Sequence, residues 1–129
     1  MNLVAKEVVE YLQDNGIGTE GTDLFYDAFP DDRNNIIGIF TTGGETPDIY
    51  LPTANPSFEV LVRDTTQANA YSKISNIVAL LHEKYNLQLV DDGNYYFYIL
   101  LMGEINTLGR DDKQRIEYSA NFRTYIRER

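Results

Sequence analysis

A chain of 129 residues has the length of one domain and is long enough to bury a single core without covalent staples. It contains no cysteine, which excludes a disulfide framework and a thiolate metal site. Its formal charge of −9 argues against ordinary nucleic-acid binding, which needs cations to displace counterions.

The opening residues, Met1-Asn2-Leu3-Val4-Ala5-Lys6-Glu7, lack the basic-then-apolar pattern of a signal peptide, and no apolar run approaches the roughly 18–20 residues of a membrane span. The expectation is a soluble protein made in a cytoplasm, with no membrane partner. Asn2 to Asn15 read as a helix, because Val4, Val8, Tyr11 and Leu12 fall on one face. Asn2 is its candidate cap and Gly16 its stop. Asp23 to Phe29 and Asn35 to Thr42 read as two strands. Gly43 to Pro56 has no sustained period and reads as a long loop of the kind more often functional than connecting.

Ser57 to Arg63 alternates cleanly, with Phe58, Val60 and Val62 on one face. Thr65 and Thr66 are candidate caps for a helix over Gln67 to Tyr85, whose stripe is Tyr71, Ile74, Ile77, Val78, Leu81 and Tyr85. Leu87 to Val90 is a short strand or an extended lead-in. Tyr95-Tyr96-Phe97-Tyr98-Ile99-Leu100-Leu101-Met102 is a strand without a charge. Period-two alternation sends Tyr95, Phe97, Ile99 and Leu101 to one face and Tyr96, Tyr98, Leu100 and Met102 to the other. Both faces want cover. Asn106 to Gln114 reads as a turn or flap. Arg115 to Ile126 is the last strand, with Ile116, Tyr118, Ala120, Phe122, Thr124 and Ile126 on one face, and it should pair antiparallel with the strand over 95–105.

Two helices among mostly hairpin-joined strands make the fold class α+β: a largely antiparallel β-sheet with two amphipathic helices packed on one face, in a single domain over 1–129. The second face of the Tyr95 strand is then either wrapped by the Gly43–Pro56 loop or buried by a neighbouring molecule.

The charge is uneven. Residues 110–129 hold six basic and four acidic side chains, a balance of +2, which leaves −11 on the first 109. A basic edge on an acidic body suits a head-to-tail contact that closes into a ring. The competing reading is a solvated outer strand whose charges block aggregation.

No catalytic centre assembles from the motifs. Gly16-Ile17-Gly18-Thr19-Glu20-Gly21 has dinucleotide-loop spacing, but a helix precedes it and a strand follows, the reverse of what a pyrophosphate site needs. Asp31-Asp32, Asp91-Asp92 and Asp111-Asp112 stand at predicted turns without calcium-loop spacing. His82 is the single histidine and reads as a partly exposed helical residue, short of the partners a triad or zinc site needs. Ten tyrosines suggest base stacking only if cations interleave them, and the Tyr95–Tyr98 run has none. Core or protein interface is the better account. No enzyme, metal or cofactor is expected.

The order of elements, the Pro56–Asp64 strand leading into the Thr66–Tyr85 helix, and above all Leu108-Gly109-Arg110-Asp111-Asp112 followed by Arg115-Ile116-Glu117-Tyr118-Ser119-Ala120-Asn121-Phe122-Arg123 resemble the minor capsid and tail-terminator (tail-completion, tail-to-head joining) proteins of long-tailed bacteriophages. The resemblance covers most of the chain and is strongest from Ser57 to Ile126. It departs from the family at Lys113-Gln114, where a glycine is expected in the flap.

The resemblance implies a structural virion protein of the tail or neck, made in the host cytoplasm. Its subunits form a hexameric ring at the head-proximal end of the tail tube, stop tube growth and join the tail to the head. Its implied partners are further copies of itself, the tail tube protein and the head connector protein, with DNA passing through the bore without specific binding. Candidate interface residues are Tyr96, Tyr98, Leu100, Leu108, Arg110, Arg123 and Arg127. Candidate bore-facing residues are Asp31, Asp32, Glu45 and Asp48. The alternative from the −9 charge is an acidic DNA-mimic module that inhibits a nucleic-acid enzyme.

Overall fold

The computed structural model describes residues 3–44 and 52–127. Its elements run α1 (Val4–Asp14), β1 (Leu24–Tyr26), β2 (Ile36–Thr41), β3 (Thr53–Ala54), β4 (Ser57–Asp64), α2 (Gln67–Leu81), β5 (Lys84–Gln88), β6 (Tyr95–Arg110) and β7 (Ile116–Arg127). The class is α+β, as expected. One sheet is ordered β1-β2-β4-β7-β6-β5, with β3 pairing to the end of β7. Among the described strands only the short β1–β2 pair is parallel.

Register makes one continuous apolar face. Ile37 stands opposite Val62 and Ile39 opposite Val60. Phe58, Val60 and Val62 in turn stand opposite Phe122, Ala120 and Tyr118. Both helices contribute to the core on this face: Val4, Val8 and Leu12 from α1, and Ala70, Ile74, Ile77 and Leu81 from α2. The inward residues expected for β7, Ile116, Tyr118, Ala120, Phe122, Thr124 and Ile126, are all buried, and Ser119 on the other face is buried with them.

Several boundaries differ from the sequence reading. The second helix stops at Leu81, because His82 is extended and Glu83 turns to φ +57. Tyr85 therefore leaves the helix and pairs with Tyr98 on β6. Tyr71 also leaves the core; it is exposed, edge-on to Tyr118, and Ala70 takes the inward position. Neither threonine side chain caps α2. Asp64 does that work from outside the helix, accepting the Thr66 N–H at 3.2 Å while pairing with Lys73 at 2.7 Å. The Asn2 cap lies outside the described residues, and α1 begins from Leu3 without a side-chain cap. The 43–56 loop contains β3.

The largest difference is the flap. Asn106 to Arg110 is strand, and β6–β7 is one long hairpin closed by a turn over 111–115. Gly103 and Gly109 resemble strand ends in sequence. Both have positive φ beside slips in the ladder, so they serve bulges within the strand.

The second face of the sheet is covered only in part by the chain's described residues. Near β2 the 27–33 segment folds across it. A Cβ on Gly38 would stand 2.7 Å from the Phe29 ring, so only glycine lets that ring sit against the strand. Arg63 lies over the same ring at 4.3 Å.

Candidate interaction site

The candidate site is the outward face of the β6–β7 hairpin. Its geometry comes from one extra residue. Tyr96 stands opposite Ile126 and Tyr98 opposite Tyr125, so Phe97 is an insertion in the ladder. The insertion changes the parity of the positions that follow, as far as the next single-residue slip between Thr107 and Gly109. Tyr96 and Ile99 both point into the core, while Tyr98, Leu100 and Met102 share the other side with Tyr125, Arg123 and Asn121.

Rings gather there. Phe97 lies 5.1 Å from Tyr95 and 4.9 Å from Tyr125, centroid to centroid. Tyr98 lies 5.9 Å from Tyr125. Two exposed arginines lean on this cluster, Arg123 over Tyr98 at 5.9 Å and Arg127 over Tyr95 at 5.5 Å. Neither arginine forms an ion pair among the described residues. Met102 is 42% exposed at the far end of the face. A hollow of about 350 Å³ opens beside it, lined by Tyr98, Met102, Arg123, Ser57 and Asn55. Tyrosine, arginine and methionine are the side chains enriched where proteins meet. A guanidinium resting on a ring keeps its donors directed outward while its stem is held.

The predicted interface residues do not all converge. Tyr98, Leu100, Arg123 and Arg127 share this face. Tyr96 does not; it is 0% exposed and is withdrawn as an interface residue, because the bulge at Phe97 turns it inward. Its hydroxyl donates to Glu7 Oε1 at 2.7 Å. Burial above all, and then the Glu7 charge, raise the pKa of that hydroxyl far above the ordinary range. Leu108, 54% exposed, and Arg110 lie near the hairpin tip, about 25 Å further along at ~3.3 Å per residue. Arg110 is tied there to the Gln114 carbonyl. Sequence reasoning missed Tyr95, Phe97 and Tyr125. For Tyr125 a signal existed: it lies between two arginines on the polar side of a clean period-two strand.

At the tip, an ion cluster joins two turns of the same chain. Arg115, whose side chain is 2% exposed, donates to Asp111 Oδ2 at 2.8 Å, Asp31 Oδ1 at 2.7 Å and the carbonyls of Asp31 and Arg33. Lys113 meets the other Asp31 oxygen at 3.0 Å. Arg63 bonds Glu117 at 3.0 Å and lies 3.7 Å from Asp111. The Arg115 hydrogen bond holds the Asp111 carboxyl down at about 2, and hydrogen bonds from Lys113 and then Arg115 lower that of Asp31. The same contacts, Asp111 first, raise the pKa of Arg115. Two cations of the basic C-terminal strip are thus engaged within their own subunit, and the Asp31 carboxylate with them. Asp32 stays in solvent, its side chain 80% exposed. Glu45 and Asp48 lie outside the described residues.

His82 is not helical. It follows α2, and its Nδ1 accepts the Leu101 N–H at 2.9 Å, satisfying β6 where β5 leaves its edge. Among the described residues no three His, Cys, Asp or Glu side chains come together as a metal site.

With this geometry established, comparison with known proteins decides the family. Residues 11–127 match the profile of the bacteriophage tail terminator protein. The chain belongs to the bacteriophage tail terminator family. It is therefore a structural protein of a phage-type tail, and assembly with other tail proteins follows from that role. The tail terminator fold recurs in a chain from a solved virion of a native gene transfer agent particle. That chain shares 16% identity at a TM-score of 0.66, covering 92% of this chain and 90% of that one. At this identity the likeness concerns the fold. No curated protein matches the chain.

Proposed function

We propose that copies of this chain close into a ring at the head-proximal end of a tail tube, where the ring ends tube growth and joins the tail to the head. The observation that carries the reading is the outward face of Tyr95, Phe97, Tyr98, Tyr125, Arg123 and Arg127. It is aromatic, carries two cations without ion-pair partners among the described residues, and lies on the side of the sheet away from both helices. A tail protein with such a face has a surface suited to a neighbour. The family membership supports the structural role over a DNA-mimic inhibitor. The ring has six subunits by resemblance to the family.

The protein's acidity suits a channel through which DNA slides without sticking. Asp31 and Asp32 are both exposed, and Asp32, which lies outside the cluster that Asp31 forms with Lys113 and Arg115, is the member of the turn that would face the bore. Charge acts over only about 8 Å at physiological salt, so the effect belongs to residues on the bore wall. Tail tube and head connector proteins are the neighbours above and below. The test is electron microscopy of particles assembled without this chain. Tubes of uncontrolled length or tails unjoined to heads are expected; normal particles would overturn the reading.

A further inference from the structure

We propose that the aromatic–arginine face of one copy seats in a carboxylate-lined groove on the next copy. This rests on the ring-forming reading and names the two surfaces that make its joint. The groove, about 730 Å³, runs between the end of α1 and the strand end at 88–91. Glu10, Asp14, Glu20 and Asp91 line it, with Leu89 and Val90 beneath.

Three observations select this counterpart for Arg123 and Arg127. The first is charge: Asp14, Glu20 and Asp91 have no ion pair among the described residues, and Glu10 has only Lys6 at 3.7 Å. Both sides of the contact therefore bring unneutralised charge of opposite sign.

The second is helix polarity. Asp14 ends α1, and the last turn holds no basic residue. A carboxylate at a helix C-terminus faces the negative end of the helix dipole and is unfavourable there. No contact within the described subunit relieves it, and a neighbour's guanidinium would. The groove's shape is also held. The Glu20 N–H donates to Gln13 Oε1 at 2.8 Å, and Glu20 bridges to Leu24.

The third is placement. α1 packs on the core face of the sheet, and the arginines lie on the other. One subunit therefore cannot bring its own two surfaces together. A two-fold contact between arginine faces would oppose like charges. A head-to-tail contact uses both surfaces of each copy, the arrangement that closes into a ring.

The absence of cysteine permits a clean test in assembled tails. A chain carrying both Arg127→Cys and Asp91→Cys should, on oxidation, give a ladder of disulfide-linked multimers. An equal mixture of the two single variants should give crossed dimers, and neither single variant alone should crosslink. In parallel, Arg123→Glu/Arg127→Glu and Asp14→Lys/Asp91→Lys should each reduce incorporation into tails at least about tenfold. The chain with all four changes should recover to within a few-fold of wild type. Arg123→Gln/Arg127→Gln replaces the glutamate variant if circular dichroism shows the latter unfolded.

Homotypic crosslinks, full incorporation of the charge-reversed chains, or failure of the four-fold variant to recover would overturn the proposal and leave the ring intact. A face that is lost for DNA retention but not for subunit contact would overturn it in favour of a polyanion. Wild-type chain absent from tail ends would instead overturn the ring reading itself.

Discussion

The Tyr96 hydroxyl donates a 2.7 Å hydrogen bond to Glu7 Oε1, across 89 residues of sequence and inside the protein. The other Glu7 oxygen accepts the Asn94 N–H at 3.1 Å. This pair ties α1 to the start of the hairpin that carries the candidate interface.

Tyr96→Phe leaves that buried oxygen without its partner and should cost about 1–3 kcal/mol, read as a lower urea midpoint with an unchanged slope. Glu7→Gln/Tyr96→Phe should cost less than the sum of the single changes, as expected for groups in contact. Because the pKa of Tyr96 is raised in the folded protein, its contribution is complete below the ordinary tyrosine value near 10 and declines above it as the unfolded chain ionises. An alkaline absorbance titration should therefore leave one of the ten tyrosines un-ionised until the protein unfolds.

Phe58 and Phe122 stack at 5.0 Å with 9° between their planes, directly opposite each other on β4 and β7. Both are fully buried beneath the helices. Phe122→Ala should destabilise the protein by about 3–5 kcal/mol through lost contacts and the cavity left behind. Denaturant titration measures it directly.

The tip cluster should fail in acid. The Asp111 carboxyl, ordinarily near 3.8, is held at about 2. A depressed value in the folded state contributes stability above the ordinary value, and that contribution disappears as pH falls from about 4 to about 2. Asp111→Asn should therefore be less stable than wild type at pH 6, with the gap narrowing across that interval. A gap that stays constant from pH 6 to pH 2 would show that the Arg115 contact does not hold the two turns.

Deleting Phe97 removes the inserted residue and restores strict alternation, with Tyr96, Ile99 and Leu101 still inward and Tyr98 and Leu100 still outward. The variant should fold with an unchanged far-ultraviolet spectrum and lose no more than the about 0.5–3 kcal/mol usual for single changes. Its outward face loses one ring and the local twist of the bulge. Incorporation into tails should fall although the variant remains folded. Full incorporation would show that the bulge plays no part in assembly.

Much of the fold was legible because alternation and helical period are local. The inward residues of β4 and β7 follow from the two-residue repeat of an extended chain, and Val4, Val8 and Leu12 from the helical one. The errors arose where a second element decided. Tyr85 fits the period of α2, but β6 offers it a strand partner. Gly109 lies in what reads as a turn or flap and serves a bulge in a ladder. Lys113 and Arg115 read as part of a basic strip facing outward, yet the 30–33 turn, over 80 residues away in sequence, supplies Asp31 to them.

The class, the core faces of the regular strands, the uneven charge and the motif that resembles tail terminators could all be read along the chain, because each is written in neighbouring residues. Which residues of β6 face outward depends on strand pairing. A bulge belongs to the pairing of two strands, and the residue inserted at Phe97 inverts the facing of the side chains from Tyr98 to Met102. That inversion took Tyr96 into the core and left Tyr98, with Arg123 over its ring, on the surface where a neighbour is proposed to bind.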